Sequence, residues 1–236
     1  MSADLFQVID ATWPAATLHE AGGFLVREGL GGGSRVSSAS LIAPFESADI
    51  DAAIAAHRAL GQPPKFMIRP GEEALDAALG ARGFEVFDPV TVYEAPLDVL
   101  SDDVPPVSAF AHWPPLAIAA EVWERGGIGA ARRAVMTRAQ GARAAVLGRA
   151  EDHPAGAAFV AVHDGTAMLH ALVTLPEFRR KGLGRAIMAE TVRWAREAGA
   201  ERLALVVTQA NGPANALYRG LGMRPAAQYH YRRRLA

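Results

Sequence analysis

Apolar and polar positions along the chain change period repeatedly, and the changes divide it into strand-like and helix-like stretches. In the first hundred residues, Phe24–Arg27 and Arg35–Leu41 carry strand patterns on either side of Gly29–Gly33, a run with four glycines in five residues. No helix pattern follows that run, so it reads as a flexible hairpin loop and not as a phosphate cradle. Ser47–Leu60 is predicted as a helix with Ser47 as its cap and Ile50, Ala53 and Ile54 on its apolar face. Phe66–Ile68 predicts a short strand and Glu72–Ala81 a helix stopped by Gly83 in a left-handed cap; Val86–Tyr93 predicts another strand.

Beyond residue 105, Leu116–Glu124 and Ile128–Ala139 have helical periodicity, followed by strand patterns at Ala144–Gly148, Gly156–Val162 and Thr166–Leu175. Asp164-Gly165 is a tight-hairpin signal between the last two, which predicts an antiparallel meander. A helix from Leu183 to Ala198 closed by Gly199, an apolar strand Leu203–Val207, a helix Ala214–Gly220 and a terminal strand Tyr229–Leu235 complete the pattern. Strand, helix and strand over Thr166–Val207 predict a parallel pair joined by a right-handed crossover. The Asp-Asp and Pro-Pro punctuation at 101–106 reads as a linker and divides the chain into domains 1–104 and 105–236. The order strand, helix, Gly-apolar, strand occurs at Phe66–Val92 and again at Leu205–Tyr231, which suggests a tandem of related folds.

Composition narrows the chemistry. The 236 residues include no cysteine, which excludes disulfides, thiolate metal sites and cysteine nucleophiles. The seven histidines never stand three or four apart, so no helix face offers two metal ligands, and no metal is expected. No apolar run is long enough for a membrane span, and Met1-Ser2-Ala3-Asp4 lacks the features of a signal peptide; a cytoplasmic protein without a membrane partner is expected. The net charge of −1 conceals −10 over residues 1–104 and +9 over residues 105–236. A basic half suits an anionic small molecule or the acidic half of the same chain; near-neutral total charge and the lack of interleaved aromatics argue against nucleic acid.

The densest chemical signal is Leu175-Pro-Glu-Phe-Arg-Arg-Lys-Gly-Leu-Gly-Arg-Ala186, between a predicted strand and an amphipathic helix. Glycines at 182 and 184 let backbone N–H groups approach an anion, and the new helix adds its unpaired N–H groups and positive dipole end. Arg179, Arg180, Lys181 and Arg185 supply positive charge around this candidate pyrophosphate cradle. No Gly-Lys-Ser/Thr occurs, against a Walker loop, and Ile187 stands where a dinucleotide fingerprint needs its third glycine. The second signal runs from Val207 to Met223 and contains Asn211, Ala214, Leu217, Tyr218 and Gly222.

Together the two motifs resemble the GCN5-related N-acetyltransferase (GNAT) superfamily over roughly residues 105–236. Arg179, Gly182 and Gly184 match its Gln/Arg-x-x-Gly-x-Gly/Ala loop. Asn211, Ala214, Leu217, Tyr218 and Gly222 match its later Asn-x-x-Ala-x-x-Leu-Tyr-x-x-x-Gly-Phe stretch, with Met223 in place of Phe. The resemblance implies an α/β (α+β) protein of two GNAT-like domains, each a mixed, mostly antiparallel sheet flanked by helices. The second is the catalytic one, with a parallel strand pair splayed at an acyl-coenzyme A site, and the first is degenerate. It further implies acetyl-coenzyme A as acyl donor and direct transfer to an amine, here expected to belong to a small molecule; a non-catalytic acyl-coenzyme A sensor is the alternative. By the same resemblance the backbone of Leu172, Val173 and Thr174 pairs with the pantetheine arm. The loop from Arg179 through Leu183 to Arg185 takes the pyrophosphate, Asn211 contacts the pantetheine or adenosine side, and Tyr218 protonates the leaving thiolate. A phenol of ordinary pKa about 10 stays protonated at neutral pH, as that step requires. For the general base, His170 stands where arylalkylamine N-acetyltransferases carry a catalytic histidine, with Met168 in place of the other; Glu121 or an ordered water chain are alternatives. Trp13, Trp113 and Trp123 either line an apolar acceptor pocket or fill a core. The patterns do not choose between monomer and homodimer.

Overall fold

The structure, a computed structural model, describes residues 4–234. In chain order it contains α1 (Leu5–Thr12), β1 (Thr17–Ala21), β2 (Phe24–Glu28), β3 (Ala39–Leu41), α2 (Ile50–Ala59), β4 (Lys65–Ile68), α3 (Glu73–Ala81), β5 (Glu85–Pro96) and β6 (Ala109–His112). There follow α4 (Ala117–Arg125), α5 (Ala130–Arg138), β7 (Arg143–Ala150), β8 (His153–His163), β9 (Thr166–Thr174), α6 (Leu183–Glu197), β10 (Arg202–Thr208), α7 (Gly212–Gly220) and β11 (Arg224–Arg233).

The chain forms two compact units, and they do not follow a cut at residue 104. The first takes the chain up to Pro14, Val92–Val207 and Gly212–Pro225; the second takes Ala15–Thr91, Thr208–Asn211 and the chain from Ala226. The reason lies in α1. Its apolar side, Val8, Ile9 and Thr12, is buried, and the helix packs against β8 and β9, far along the sequence. Asp4 caps it by accepting from the Phe6 N–H.

In the first unit the strand order is β5-β10-β9-β8-β7-β6. The pair β6/β7 and the hairpins β7/β8 and β8/β9 are antiparallel, while β9 and β10 are parallel. Asp164 and Gly165 have φ of 46° and 68°, the left-handed pair that a tight hairpin needs. One face of the sheet is covered by α6, whose close seat is made by two strand glycines: a Cβ on Gly148 or Gly156 would lie 2.7 Å from Cδ1 of Ile187. Leu183, Ile187, Met188 and Val192 of α6 pack there with Val146, Ala158, Val160, Leu169 and Leu205 of the strands.

In the second unit the order is β1-β2-β3-β4-β11-β5. Phe24, Val26, Phe66, Ile68, Leu75, Leu79 and Phe84 form its core. Helix α2 begins three residues past Ser47, which lies in a 3-10 turn; Asp49 is the cap and accepts from the Asp51 and Ala52 N–H groups. The expected strand Arg35–Leu41 shortens to β3 because Ser34–Val36 form a 3-10 turn. The terminal strand starts earlier than expected, at Arg224; Leu235 lies outside the described residues.

Candidate functional site

Strand β9 changes course at one residue. Pairing with β10 runs from Thr166 opposite Arg202 to Leu169 opposite Leu205. Against β8 the register passes from His170 opposite Phe159 to Val173 opposite Ala157, so two residues of β9 face one of β8. The extra residue, Ala171, has a φ of +52°, which makes this a β-bulge. The bulge resets the alternation of faces: Leu169 and Leu172 both pack on the α6 side, while Val173 turns toward the end of α4. There a Cβ on Gly126 would approach Cγ2 of Val173 to 2.2 Å, so only glycine admits this crossing. The indole N–H of Trp123, a fully buried residue, donates to the Ala171 carbonyl at 3.0 Å and holds the bulge in place. Past Leu169 the backbone of Leu172, Val173 and Thr174 therefore runs clear of its pairing with β10.

The chain then makes a 3-10 turn at Pro176–Phe178 and enters α6 through Gly182, which is left-handed at φ 81°, ψ −8°. No side chain caps α6 and no acid stands in its first turn, so its N-terminal N–H groups and dipole face outward unopposed. A Cβ added to Gly182 would meet no other atom within 4 Å. Gly184 lies inside α6, and its bare Cα lets Cδ2 of Leu217 on α7 approach to 3.1 Å of where a Cβ would be. Of the surrounding cations, Lys181 is paired with Glu151 at 2.7 Å, Arg179 Nε donates to the Thr174 carbonyl at 3.2 Å, and Arg185 lies against Gly220 at the end of α7. Arg180 is exposed. Leu183 is buried and anchors the first turn of α6 in the core.

Helix α7 carries Tyr218, which is 5% exposed and packs in the core shared by α6 and the sheet. Burial pushes its phenol up to about 12, because the phenolate would lose its water. Beneath it Tyr93, 6.0 Å away ring to ring, donates from its hydroxyl to Oδ1 of buried Asn215 and accepts from Nε of Arg219. This network fixes one face of α7 to β5. The sequence signal for it was a polar Asn on the apolar side of a helix.

His170 lies on the other face of β9, 2% exposed. Its ring stands 5.0 Å from Trp13 and 6.2 Å from Phe159, and its Nε2 is 2.8 Å from the hydroxyl of Thr12. Trp113 stands 5.8 Å from Phe159 and under the guanidinium of Arg143. Trp13 was a candidate from the sequence, but Thr12 was beyond the reach of sequence patterns, since it precedes His170 by more than 150 residues. Glu121 lines a separate cavity of 240 Å³ beside α4, with Val122, Arg125, His153, Glu177 and Phe178. Asn211 sits in the turn after β10, its N–H donating to the Thr208 carbonyl, and belongs to the second compact unit, whereas the other site residues belong to the first. Among the described residues no group of acids and histidines is arranged to hold a metal, and no helix is long and apolar enough to cross a membrane.

Residues 111–223 match the model of the acetyltransferase (GNAT) family. An uncharacterized N-acetyltransferase of Bacillus subtilis is 38% identical over 73 residues, 31% of this chain and 30% of that protein, so the match spans less than a third of the relative's length. Among solved structures, a GCN5-related N-acetyltransferase from Kribbella flavida shares the fold with a TM-score of 0.71 at 20% identity, covering 98% of this chain and 95% of that one. A tandem GNAT protein from the clavulanic acid biosynthesis pathway aligns with a TM-score of 0.61 at 17% identity over 98% of this chain and 87% of its own.

Proposed function

We propose, from the match of residues 111–223 to the GNAT acetyltransferase family, that this chain transfers an acyl group, acetyl in the first instance, from acyl-coenzyme A to the amine of a small molecule. The observation that carries the reading is the conjunction of a bulged strand whose edge at Leu172–Thr174 no longer pairs with β10 and an uncapped, glycine-entered helix N-terminus a few residues later. The two features suit one extended ligand with an amide-bearing arm and a diphosphate: strand-like hydrogen bonds for the first, N–H groups and Arg180 for the second. The space over Gly182 is open, so these residues fit the donor. Bound acetyl-coenzyme A supplies an activated thioester; the chain supplies orientation and protons.

In this reading the loop from Arg179 to Arg185 anchors the diphosphate, with Leu183 seating the helix and Lys181 shared with Glu151. Asn211 serves the pantetheine or adenosine side. Tyr218 holds a proton at its phenolic oxygen for the departing sulfur. Its raised pKa keeps that proton in place throughout the physiological range, and the same dry surroundings raise the basicity of a thiolate beside it. His170 takes the proton of the attacking ammonium, directly or through one ordered water. The tandem relation of the two halves of the chain belongs to the same proposal, with residues 1–104 carrying no donor site.

The test is incubation with acetyl-coenzyme A and a panel of amines, aminoglycosides, amino acids and peptides, with mass detection of product and a melting scan alongside. A ligand that binds only the native state at about 100 times its dissociation constant adds roughly 2.7 kcal/mol of stability. Melting stabilised by acetyl-coenzyme A without any acylated product would favour the sensor alternative. No stabilisation at millimolar ligand would defeat both readings.

A further inference from the structure

We infer that Thr12, on the N-terminal helix, is a positioning residue that sets the tautomer of His170 and makes Nδ1 its proton-accepting nitrogen. The inference rests on the reading of His170 as the base and adds to it the atom involved and the group that selects it.

The Thr12 hydroxyl has a single hydrogen, and its oxygen lies 2.6 Å from the Val8 carbonyl oxygen, one turn earlier in α1. Two oxygens at that distance need a proton between them, and a carbonyl has none to give, so the hydroxyl donates to Val8. Toward His170 Nε2, 2.8 Å away, the hydroxyl can therefore only accept. Nε2 carries a hydrogen, and in the neutral imidazole Nδ1 carries the lone pair. The ring has little freedom to do otherwise, because Trp13 covers it at 5.0 Å and Phe159 stacks on it with a 25° interplanar angle. When Nδ1 gains a proton the Nε2–H bond to Thr12 persists and strengthens, so the hydroxyl steadies the imidazolium as well as the neutral ring.

The ionisable side chains carried by the elements around this face include Asp10 on α1, Glu121, Glu124 and Arg125 on α4, His153 and His163 at the two ends of β8, and Arg143 on β7, which lies over Trp113. Two of them have other engagements: Glu124 with Arg133, and Arg125 with Glu177. Thr12 is the neutral group whose hydrogen-bond direction is fixed from behind, by its own helix.

Nitrogen-15 NMR of the full chain, labelled at histidine and observed above the imidazole pKa, reads the tautomer without any assay. The expected wild-type signal is Nε2–H; an Nδ1–H signal overturns the inference. Thr12→Val should weaken that preference, lower kcat about tenfold, the size of one net hydrogen bond, and shift the acidic limb of the pH profile toward lower pH, since the imidazolium loses its partner. Thr12→Ser should restore all three. A Thr12→Val enzyme that only melts earlier, with the wild-type limb and tautomer, would make Thr12 a packing residue and overturn the inference. His170→Gln separates the two levels. If it abolishes the limb while Thr12→Val leaves it intact, the inference alone fails; if it too leaves the limb intact, the base reading fails and the inference falls with it.

Discussion

Helix α6 of the first unit and helices α2 and α3 of the second treat the positive end of a helix in opposite ways. In the second unit Asp49 caps α2, and α3, which has no side-chain cap, carries the acids Glu73 and Asp76 in its first turn. In the first unit α6 begins with no acid and no cap, behind a left-handed glycine and beside Arg179, Arg180, Lys181 and Arg185. A helix end filled by its own carboxylates is a finished piece of structure. An open one leaves N–H groups for an anion from outside.

The strongest way to break this contrast is to give α6 an acid of its own. Gly182→Asp combines a strained left-handed backbone with a negative charge at the helix start, and should remove the melting shift that acetyl-coenzyme A produces, on the order of 2.7 kcal/mol at 100 times the dissociation constant. Calorimetry on the parent chain should find one acetyl-coenzyme A, and Glu73→Gln should leave both that stoichiometry and the affinity unchanged; two sites per chain would show that the second unit's helix ends are open after all.

Next in size is Tyr218→Phe. It removes a proton donor that is buried and held at about 12, and should lower kcat by about a hundredfold while acetyl-coenzyme A affinity stays close to that of the parent. The parent should also show no loss of rate from phenol ionisation up to pH 10. Unchanged turnover in the variant would assign Tyr218 to the core alone.

Gly148→Ala tests the seat of α6. The new methyl would sit 2.7 Å from Ile187 and 2.9 Å from Leu183, on the turn that carries the loop, and should cost about 1–3 kcal/mol in a denaturant titration. Because Leu183 follows Gly182 directly, acetyl-coenzyme A should recover part of that loss.

The smallest effect belongs to the second unit. His57 is fully buried there, its Nδ1 2.9 Å from the Ala53 carbonyl, and burial holds its pKa below the ordinary 6.5. The unfolded chain then binds more protons than the folded one below about pH 6.5, so stability is complete above that pH and declines as pH falls toward the folded pKa. Asp76, held low chiefly by its hydrogen bond from Arg232, loses its contribution only below its ordinary value of 3.8, so the two windows separate. A melting temperature that is flat from pH 7 to pH 5 would contradict the assignment.

Local pattern was enough for the meander β7–β9, helix α6 and strand β10, because their periodicities and turn residues act over a few positions: Asp164-Gly165 bends the hairpin and Gly199 ends the helix whatever surrounds them. The same holds for the entry to α6, where Arg-x-x-Gly-x-Gly at a strand-to-helix junction is already a statement about backbone N–H groups. Tertiary structure alone decided the rest. The short segment Leu5–Thr12 belongs with β8 and β9 because those strands offer its apolar side a partner, and no linker-like punctuation at 101–106 can outweigh buried area formed between distant segments. The bulge at Ala171 depends on a glycine at 126 and an indole at 123, and the tautomer of His170 depends on a hydroxyl from residue 12. Sequence fixes what each residue can donate, accept or bury over a turn or two; which distant group receives it is set only when the chain closes on itself.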